Sequence, residues 1–360
     1  MTERVLLTEN GVPGPTQEFT PGIRYGRWVF TSAISAAGTH GLVPGIIENP
    51  AVPLAGCDKQ INEARYILGA LEKILEEGGT NLQQAVRIDQ FPTSREAIDP
   101  YHVVRREVIK PPRPASTSVG VEGLLCPEAT IQAEVVAIVP DEEFQKAGVE
   151  TDAIPAPLGG YAPAIRVGDF VFLAGQMATD FKTGIPEEAE VNPTFWEGNR
   201  IDRQTRYTLK NMAKTLEAAG SSLENVVKAQ IYLKNIEDLP RFEMVWKEFF
   251  PKDPPARTIY PVSSFGVLEG LIEINFVALV NGGKTKKEVI NVPSARQPLF
   301  HEPHAVRAGE FLFLSGLMAA DKDGLVEPAR VRPGSPYTVD TAEEQMRDIM
   351  EQAKIICSAA

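Results

Sequence analysis

Hydrophobic periodicity divides the chain into short strands and amphipathic helices. Leu209, Met212 and Leu216 recur at spacings of three and four, which predicts a helix with one apolar face. Gly220 follows this run and predicts the end of the helix. The alternating run VVKAQIYLK comes next and predicts a strand, and a second helix is expected over residues 239–250.

Two β-rich runs lie between residues 254 and 280, separated by a short connection that contains glycine. Runs of this kind predict a β-hairpin. Arg257 opens the first run, and Glu273 lies early in the second. We therefore expect the hairpin to bring Arg257 and Glu273 together, and this pair is the best candidate for chemistry in the chain.

The chain contains an internal repeat of about 141 residues. The segments GRWVFTSAIS, GDFVFLAGQM and GEFLFLSGLM begin at Gly26, Gly168 and Gly309 and share one pattern of glycine, apolar and small residues. The helical segments that begin at Ala64 and Thr205 match each other at the same offset, and a third copy covers residues 345–357. Several segments in one register indicate tandem modules.

Each complete module reads β-β-α-β-α-β-β, which predicts an α+β fold with a mixed sheet and two helices packed on one face. We expect a first module at 1–145, a second at 155–282 and the first half of a third at 296–360. Half a sheet leaves an open edge, so either the chain is truncated at Ala360 or the third module completes itself against another chain. The helix-free sheet faces also need cover, so we expect a homo-oligomer or a pseudo-trimer within one chain.

The second module resembles the Rid family, which comprises YjgF-like imine and enamine deaminases. The resemblance rests on GGYAPAIRVGDFVFLAGQ (159–176), PPART (254–258) and IEINFVAL (272–279), in the order in which the family has them. It implies a chorismate-mutase-like sandwich that forms trimers, with active sites in the clefts between neighbours. The implied reaction is hydrolysis of a reactive imine or enamine to a carbonyl compound and ammonia, without a metal or an organic cofactor.

The resemblance also implies roles for residues of the second module. Arg257 falls on the family position that anchors an anionic substrate, for which a planar, permanently charged guanidinium is suited. Glu273 falls on the position that orients or deprotonates the attacking water. Further substrate contacts are implied at Tyr161, at the turn formed by Ala174 and Gly175, and at Thr258.

Several positions depart from the family pattern. Ala174 stands where the family usually has Ser, whereas Ser32 and Ser315 keep that residue in the other modules and are expected to contribute from a neighbouring module. Glu243 and His102 stand where the family often has Asn. We expect Glu243 to be able to pair with Arg257 and compete with an anionic substrate.

The first module is degenerate at both key positions. Ser116 stands at the Arg position and Gln132 at the Glu position, and neither can anchor an anion by charge or act as a base. By the family criterion, one Arg/Glu pair remains in the chain.

Composition narrows the remaining possibilities. With 360 residues, 43% hydrophobic and 23% charged, the chain is typical of globular proteins. A net charge of −12 argues against binding to nucleic acid through phosphates. Cys57, Cys126 and Cys357 form no CxxC motif, and the N-terminus shows no signal segment, so we expect no metal site, no membrane and a cytoplasmic location.

Three functions stay open at this point. The first is a hydrolytic deaminase that acts on a small imine, enamine or related C–N compound. The second is a divergent catabolic hydrolase that uses the same cleft on another nitrogenous substrate. The third is a ligand-binding or regulatory protein without catalysis. Without the family pattern, Arg257 would be interpreted as part of a structural ion pair, because most ion pairs are structural.

Overall fold

The structure is a computed structural model that describes residues 4–8, 19–47, 58–192, 194, 198–330 and 341–360. Cys57, singled out above, lies outside this range, as does most of the N-terminal segment. The helices are α1 (Lys59–Glu77), α2 (Ile98–Val108), α3 (Arg200–Ala218), α4 (Leu239–Phe249) and α5 (Thr341–Ala359).

The strands follow in three groups. The first repeat has β1 (Arg4–Leu7), β2 (Gly22–Tyr25), β3 (Trp28–Thr31), β4 (Ile34–Ser35), β5 (Ala37–Gly38), β6 (Gly41–Leu42), β7 (Ala85–Pro92), β8 (Ala115–Gly120) and β9 (Ile131–Ile138). The second has β10 (Lys146–Val149), β11 (Ala164–Val167), β12 (Phe170–Leu173), β13 (Gln176–Met177), β14 (Val226–Leu233), β15 (Ala256–Pro261), β16 (Ser264–Phe265) and β17 (Ile272–Leu279). The third has β18 (Lys287–Ile290), β19 (Ala305–Ala308), β20 (Phe311–Leu314), β21 (Ala320–Asp321) and β22 (Gly324–Leu325).

Three main sheets are formed. The first has the order β1-β2-β3-β9-β7-β8-β16, with β4 beside β9, and the second has the order β10-β11-β12-β17-β14-β15, with β13 beside β17. The third sheet is β18-β19-β20, and β5-β6 and β21-β22 form two small ribbons. Since β16 belongs to the second repeat but pairs with β8, a strand of one repeat extends the sheet of its neighbour.

The prediction that the strands of Arg257 and Glu273 form a hairpin is wrong. Strand β14 lies between them, parallel to β15 and antiparallel to β17. Arg257 is paired with Ala229 and Glu273 with Tyr232, three positions apart on β14, so the two side chains point to opposite faces of the sheet. The connection is not a turn, because it contains β16, which leaves to pair with the first repeat.

The α+β class with two helices on one sheet face is confirmed. Helices α3 and α4 cover one face of the second sheet, and the apolar face predicted for α3 is buried at Leu209, Met212 and Leu216. The helix begins where the Asn199 side chain accepts a hydrogen bond from the Ile201 amide, and it is followed by Gly220 in the left-handed region at φ 72°. Helices α1 and α2 cover the first sheet in the same way.

The helix-free faces of the three repeats meet at an aromatic cluster. Trp28, Phe170 and Phe311 occupy equivalent repeat positions, and their ring centroids are 5.6 Å (Trp28–Phe170), 5.4 Å (Phe170–Phe311) and 5.3 Å (Trp28–Phe311) apart. The near-equal distances place the repeats around an approximate three-fold axis. The boundaries at 1–145, 155–282 and 296–360 stay predictions. No helix in the described part of the chain is long and apolar enough to cross a membrane.

Candidate active site

A cavity of about 720 Å³ lies between the first and second repeats. Both repeats line it with polar side chains: Gln90, His102, Ser116 and Ser118 come from the first, and Tyr161 and Glu273 come from the second. Gly175 of the second repeat also lines it. Cavities of this size with a few convergent polar groups are typical of small-molecule sites.

Glu273 lies on β17, on the helix-free face that packs against β8 of the first repeat. It is 2% exposed, and its Oε2 has no hydrogen-bond partner. Burial raises the pKa of Glu273 to about 8, and Asp89 adds to this rise, while the Ser118 amide and Arg87 oppose it. The carboxyl is therefore mostly neutral at pH 7.

Gly175 allows the two repeats to meet at this carboxyl. A Cβ added to Gly175 would overlap the Glu273 carboxylate, lying 2.9 Å from its Cδ and 3.1 Å from Thr117 Cγ2. The Gly175 amide donates a hydrogen bond of 3.0 Å to the Ser116 carbonyl. A residue without a side chain is thus required between β8 and the carboxyl.

Arg105 of α2 supplies a buried cation beside the cavity. It is 1% exposed, its Nη1 donates to Ser116 Oγ at 2.7 Å and its Nη2 donates to the Gly159 carbonyl at 2.8 Å. Its Nε has no partner, and among the described residues no carboxylate lies within ion-pair distance of it. Burial lowers the pKa of Arg105, but a guanidinium stays charged at physiological pH. An unpaired buried cation of this kind favours an anionic ligand.

His102 and Tyr161 add neutral hydrogen-bonding groups. Burial, together with Arg105 and Arg106, lowers the pKa of His102 to about 3, and its buried Nε2 has no partner. Burial and Glu273 raise the pKa of Tyr161, which Arg105 partly offsets. Both side chains are therefore neutral at pH 7, and each can donate or accept a hydrogen bond.

The boundary between the second and third repeats has the same backbone contact but different side chains around it. The Gly316 amide donates to the Arg257 carbonyl at 2.8 Å, as the Gly175 amide does to Ser116. The Arg257 side chain is fully buried, its Nε donates to Glu302 at 2.8 Å, and its Nη2 pairs with Glu243. At this boundary the arginine is therefore ion-paired with two carboxylates.

The two boundaries can be compared residue by residue at the 141-residue offset. Arg105 corresponds to Trp246, whose ring lies 5.2 Å from the Arg257 guanidinium, and Ser116 corresponds to Arg257 itself. The second repeat therefore carries its arginine, Arg257, on strand β15, whereas the first repeat carries Arg105 on helix α2. His102 and Tyr161 correspond to the two acids that pair with Arg257, which explains why Arg105 lacks a carboxylate partner.

Comparisons with known proteins cover about a third of the chain, which is the length of one repeat. The family described as Endoribonuclease L-PSP matches residues 151–280. A RutC family protein of Pyrococcus horikoshii is 38% identical over 128 residues, which are 36% of this chain and 93% of that protein. The chain belongs to the Rid (YjgF-like) family.

Other Rid relatives carry names that state an activity. Reactive Intermediate Deaminase A, chloroplastic, of Arabidopsis thaliana is 33% identical, over 37% of this chain and 66% of that protein. A 2-iminobutanoate/2-iminopropanoate deaminase of Dermatophagoides farinae is 34% identical, over 32% of this chain and 82% of that protein. Among solved structures, RidA of Psychrobacter sp. PAMC 21119 is 28% identical, over 37% of this chain and 99% of that chain, with a TM-score of 0.31.

The residues implied by the Rid resemblance fall into separate places. Glu273, Gly175, Tyr161 and His102 line the cavity, and buried Ala174 directly precedes Gly175. Four others lie at the second boundary: Arg257, Glu243, Thr258 and Ser315. The pairing of Glu243 with Arg257 is present as expected. The prediction that Arg257 and Glu273 share one site is wrong, because Glu273 lines the cavity and Arg257 does not.

The hydroxyl groups of the two serines are engaged in hydrogen bonds outside the cavity. Ser32 Oγ donates to the Thr20 carbonyl at 2.7 Å, and Ser315 Oγ donates to the Pro303 carbonyl at 2.6 Å and accepts from the Arg257 amide. Neither lines the cavity. The expected contribution of Ser32 and Ser315 to the Glu273 pocket is therefore wrong.

Arg105 is the residue that sequence reasoning missed. The family pattern directs attention to position 116, and Ser116 there indicates a lost site. The signal was available in the repeat, since an arginine replaces Trp246 where a serine replaces Arg257. The first repeat therefore retains a cation at this boundary, although its Arg position is degenerate.

Proposed function

We propose that this protein is a hydrolytic deaminase for a small imine or enamine that carries a carboxylate. One observation supports the proposal above all: Arg105, a buried cation without a carboxylate partner, donates to Ser116, and Ser116 lines the same cavity as the buried, neutral carboxyl of Glu273. The relatives named as imine deaminases are consistent with it. We place the reaction in the cleft of Arg105 and Glu273.

Arg105 anchors the substrate carboxylate in this proposal. Its guanidinium is held from two sides, by Ser116 Oγ and the Gly159 carbonyl, so little side-chain entropy is lost when an anion binds. Its buried Nε has no hydrogen-bond partner in the protein. A charge-assisted hydrogen bond in a buried site is stronger than one between neutral groups.

Glu273 acts first as an acid and then as a base. Its neutral carboxyl donates a proton to the imine nitrogen, a water molecule adds to the carbon of the C=N bond, and the carboxylate takes a proton from that water. The carboxyl then protonates the amine of the carbinolamine and the C–N bond breaks. Ammonia leaves, and the hydroxyl proton returns to Glu273 as the carbonyl forms. His102 and Tyr161 can hydrogen-bond the water and the hydroxyl.

This sequence of steps needs no metal or organic cofactor, because the C=N carbon is already electrophilic. An enamine enters the same route once its carbon has been protonated to give the imine. The release of ammonia distinguishes this proposal from a ligand-binding protein without catalysis.

The test measures ammonia release from 2-iminobutyrate generated in situ. Glu273→Gln is expected to lower kcat/KM by a factor of about 10²–10⁴, the usual contribution of general acid–base catalysis. Arg105→Met is expected to lower it by about tenfold or more, mainly through KM, since the anion is bound before and during the reaction. Two exposed positions provide matched controls, Glu217→Gln and Arg166→Met. If either cleft variant were as active as its control, the proposal would be overturned.

A further inference from the structure

The cavity is lined by apolar side chains as well as by polar and charged ones. Beyond Glu273 and Ser116 it is lined by Ile98, Leu158, Phe181, Ile185 and Leu268. A volume of about 720 Å³ is typical of cavities that bind drug-sized ligands, which are much larger than a three- or four-carbon acid. A carboxylate and an imine group alone would not fill this space.

Two leucines at the mouth are strongly exposed. Leu158 is 71% exposed and Leu268 is 65% exposed, and they lie in different loops on the two sides of the same cavity. The rim carboxylates Glu190 and Glu269 both pair with Arg200. Four exposed charged residues also line the cavity: Arg95, Asp99, Arg106 and Lys182. Exposed apolar side chains that converge on one cavity indicate a binding surface.

Phe181 is held at the mouth by a rigid turn. Its φ of 56° lies in the left-handed region, which is costly for an aromatic residue. The neighbouring Asp180 compensates, because its carboxylate accepts hydrogen bonds from the amides of Lys182, Thr183 and Gly184. The turn therefore fixes an aromatic side chain beside the cavity before any ligand arrives.

We infer that the mouth binds the side chain of the substrate and selects 2-imino acids with a branched or aromatic apolar side chain. The inference rests on the proposed function: Arg105 binds the carboxylate, Glu273 faces the C=N group, and the substrate side chain extends toward Phe181 and Leu268. Phe181, Leu158 and Leu268 are then specificity-determining residues. A small side chain such as methyl leaves the mouth empty and gains nothing from it.

The test uses stable 2-oxo acids as probes, because they share the carboxylate and the side chain of the imino acids. Calorimetry compares pyruvate, 4-methyl-2-oxopentanoate and phenylpyruvate with the wild type and with Leu268→Ser and Phe181→Asn; Asn tolerates the left-handed backbone. Phenylpyruvate is expected to bind at least about tenfold more tightly than pyruvate, since several apolar carbons become buried. Each variant is expected to reduce this ratio at least threefold without changing pyruvate affinity.

Leu125→Ser is the matched control, since Leu125 is an 84% exposed leucine away from the cavity, and it should leave the ratio unchanged. Equal affinities for the three acids, no binding of any, or an unchanged ratio in both variants would overturn the inference. Ammonia release without a side-chain preference would overturn this inference alone. A retained preference for phenylpyruvate without ammonia release from any imine would overturn the proposed function alone.

Discussion

The pKa values of two cleft residues are shifted in opposite directions, and both shifts favour the neutral form of the side chain. Burial raises the pKa of Glu273 to about 8 and lowers the pKa of His102 to about 3. Both groups are therefore neutral at pH 7, and in the proposed mechanism Arg105 supplies the charge that attracts an anion. A neutral carboxyl can donate a proton to an imine nitrogen, which an ordinary ionised glutamate cannot do.

This pKa predicts a decline of activity at alkaline pH. The acid form of Glu273 dominates below about pH 8, so kcat/KM is expected to fall tenfold per pH unit above that value. Rates of ammonia release between pH 6 and 10, corrected for spontaneous hydrolysis of the imine, give the profile. A profile that stays flat from pH 6 to pH 10 would contradict the proposed acid role.

The same shift predicts a change in stability. The folded-state pKa lies above the unfolded value of 4.5, so the stabilising effect of this proton is complete below about pH 4.5 and is lost as pH rises to about 8. The free energy of unfolding of wild type relative to Glu273→Gln should therefore decrease over this window. A few kcal/mol is the expected scale, because a pKa difference of one corresponds to about 1.4 kcal/mol. Urea titrations of both proteins at several pH values measure it.

At the scale of elements, strand β15, helix α4 and the segment before β19 are joined through Arg257. Removing this guanidinium by Arg257→Ala leaves Glu243 and Glu302 buried without their cation. The expected loss of stability is about 3–5 kcal/mol. The triple change Arg257→Met, Glu243→Gln and Glu302→Gln should recover most of it, since no buried charge of the trio is left.

Ammonia release by the folded fraction should be the same in Arg257→Ala and in wild type, because Arg257 lies outside the Glu273 cavity. Urea denaturation at pH 7 gives the stabilities, and the assay is normalised to folded protein. A fully stable Arg257→Ala that releases no ammonia would instead support the anchoring role that the family resemblance implies for Arg257.

The elements themselves could largely be predicted from the sequence, and their pairing could not. The three- and four-residue spacing located α3, and the alternating run located β14, because burial imposes these periods directly. The strands of Arg257 and Glu273 were also recognised, but alternation does not identify the partner of a strand. That β14 separates them depends on a crossover and on β16, whose partner belongs to another repeat.

The candidate site was partly predictable for a related reason. Glu273, Gly175, Tyr161 and His102 were identified from a family motif, and the structure gathers them in one cavity. Arg105 lies outside every motif, since it replaces a tryptophan on a helix rather than an arginine on a strand. The aligned repeats contain this exchange of residues, and the structure adds that Arg105 is buried beside Ser116.

At the scale of the whole molecule, the repeats form the cleft without a second chain. Trp28, Phe170 and Phe311 meet at the approximate three-fold axis, so the helix-free sheet faces cover one another within one polypeptide. Arg105 comes from the first repeat and Glu273 from the second, joined by the Gly175–Ser116 backbone contact and by the pairing of β16 with β8. Association between chains, which the sequence led us to expect, is therefore not needed to build this site.

This arrangement predicts that activity does not depend on protein concentration. Specific ammonia release is expected to stay constant, within about 20%, from micromolar to nanomolar protein, because an intrachain site cannot dissociate on dilution. Light scattering over the micromolar range determines independently whether chains associate. If chains associate while specific activity stays constant, association serves another purpose than completing the cleft. A specific activity that falls on dilution in step with loss of the oligomer would show that a second chain contributes to catalysis, and the intrachain cleft would then not be the active site.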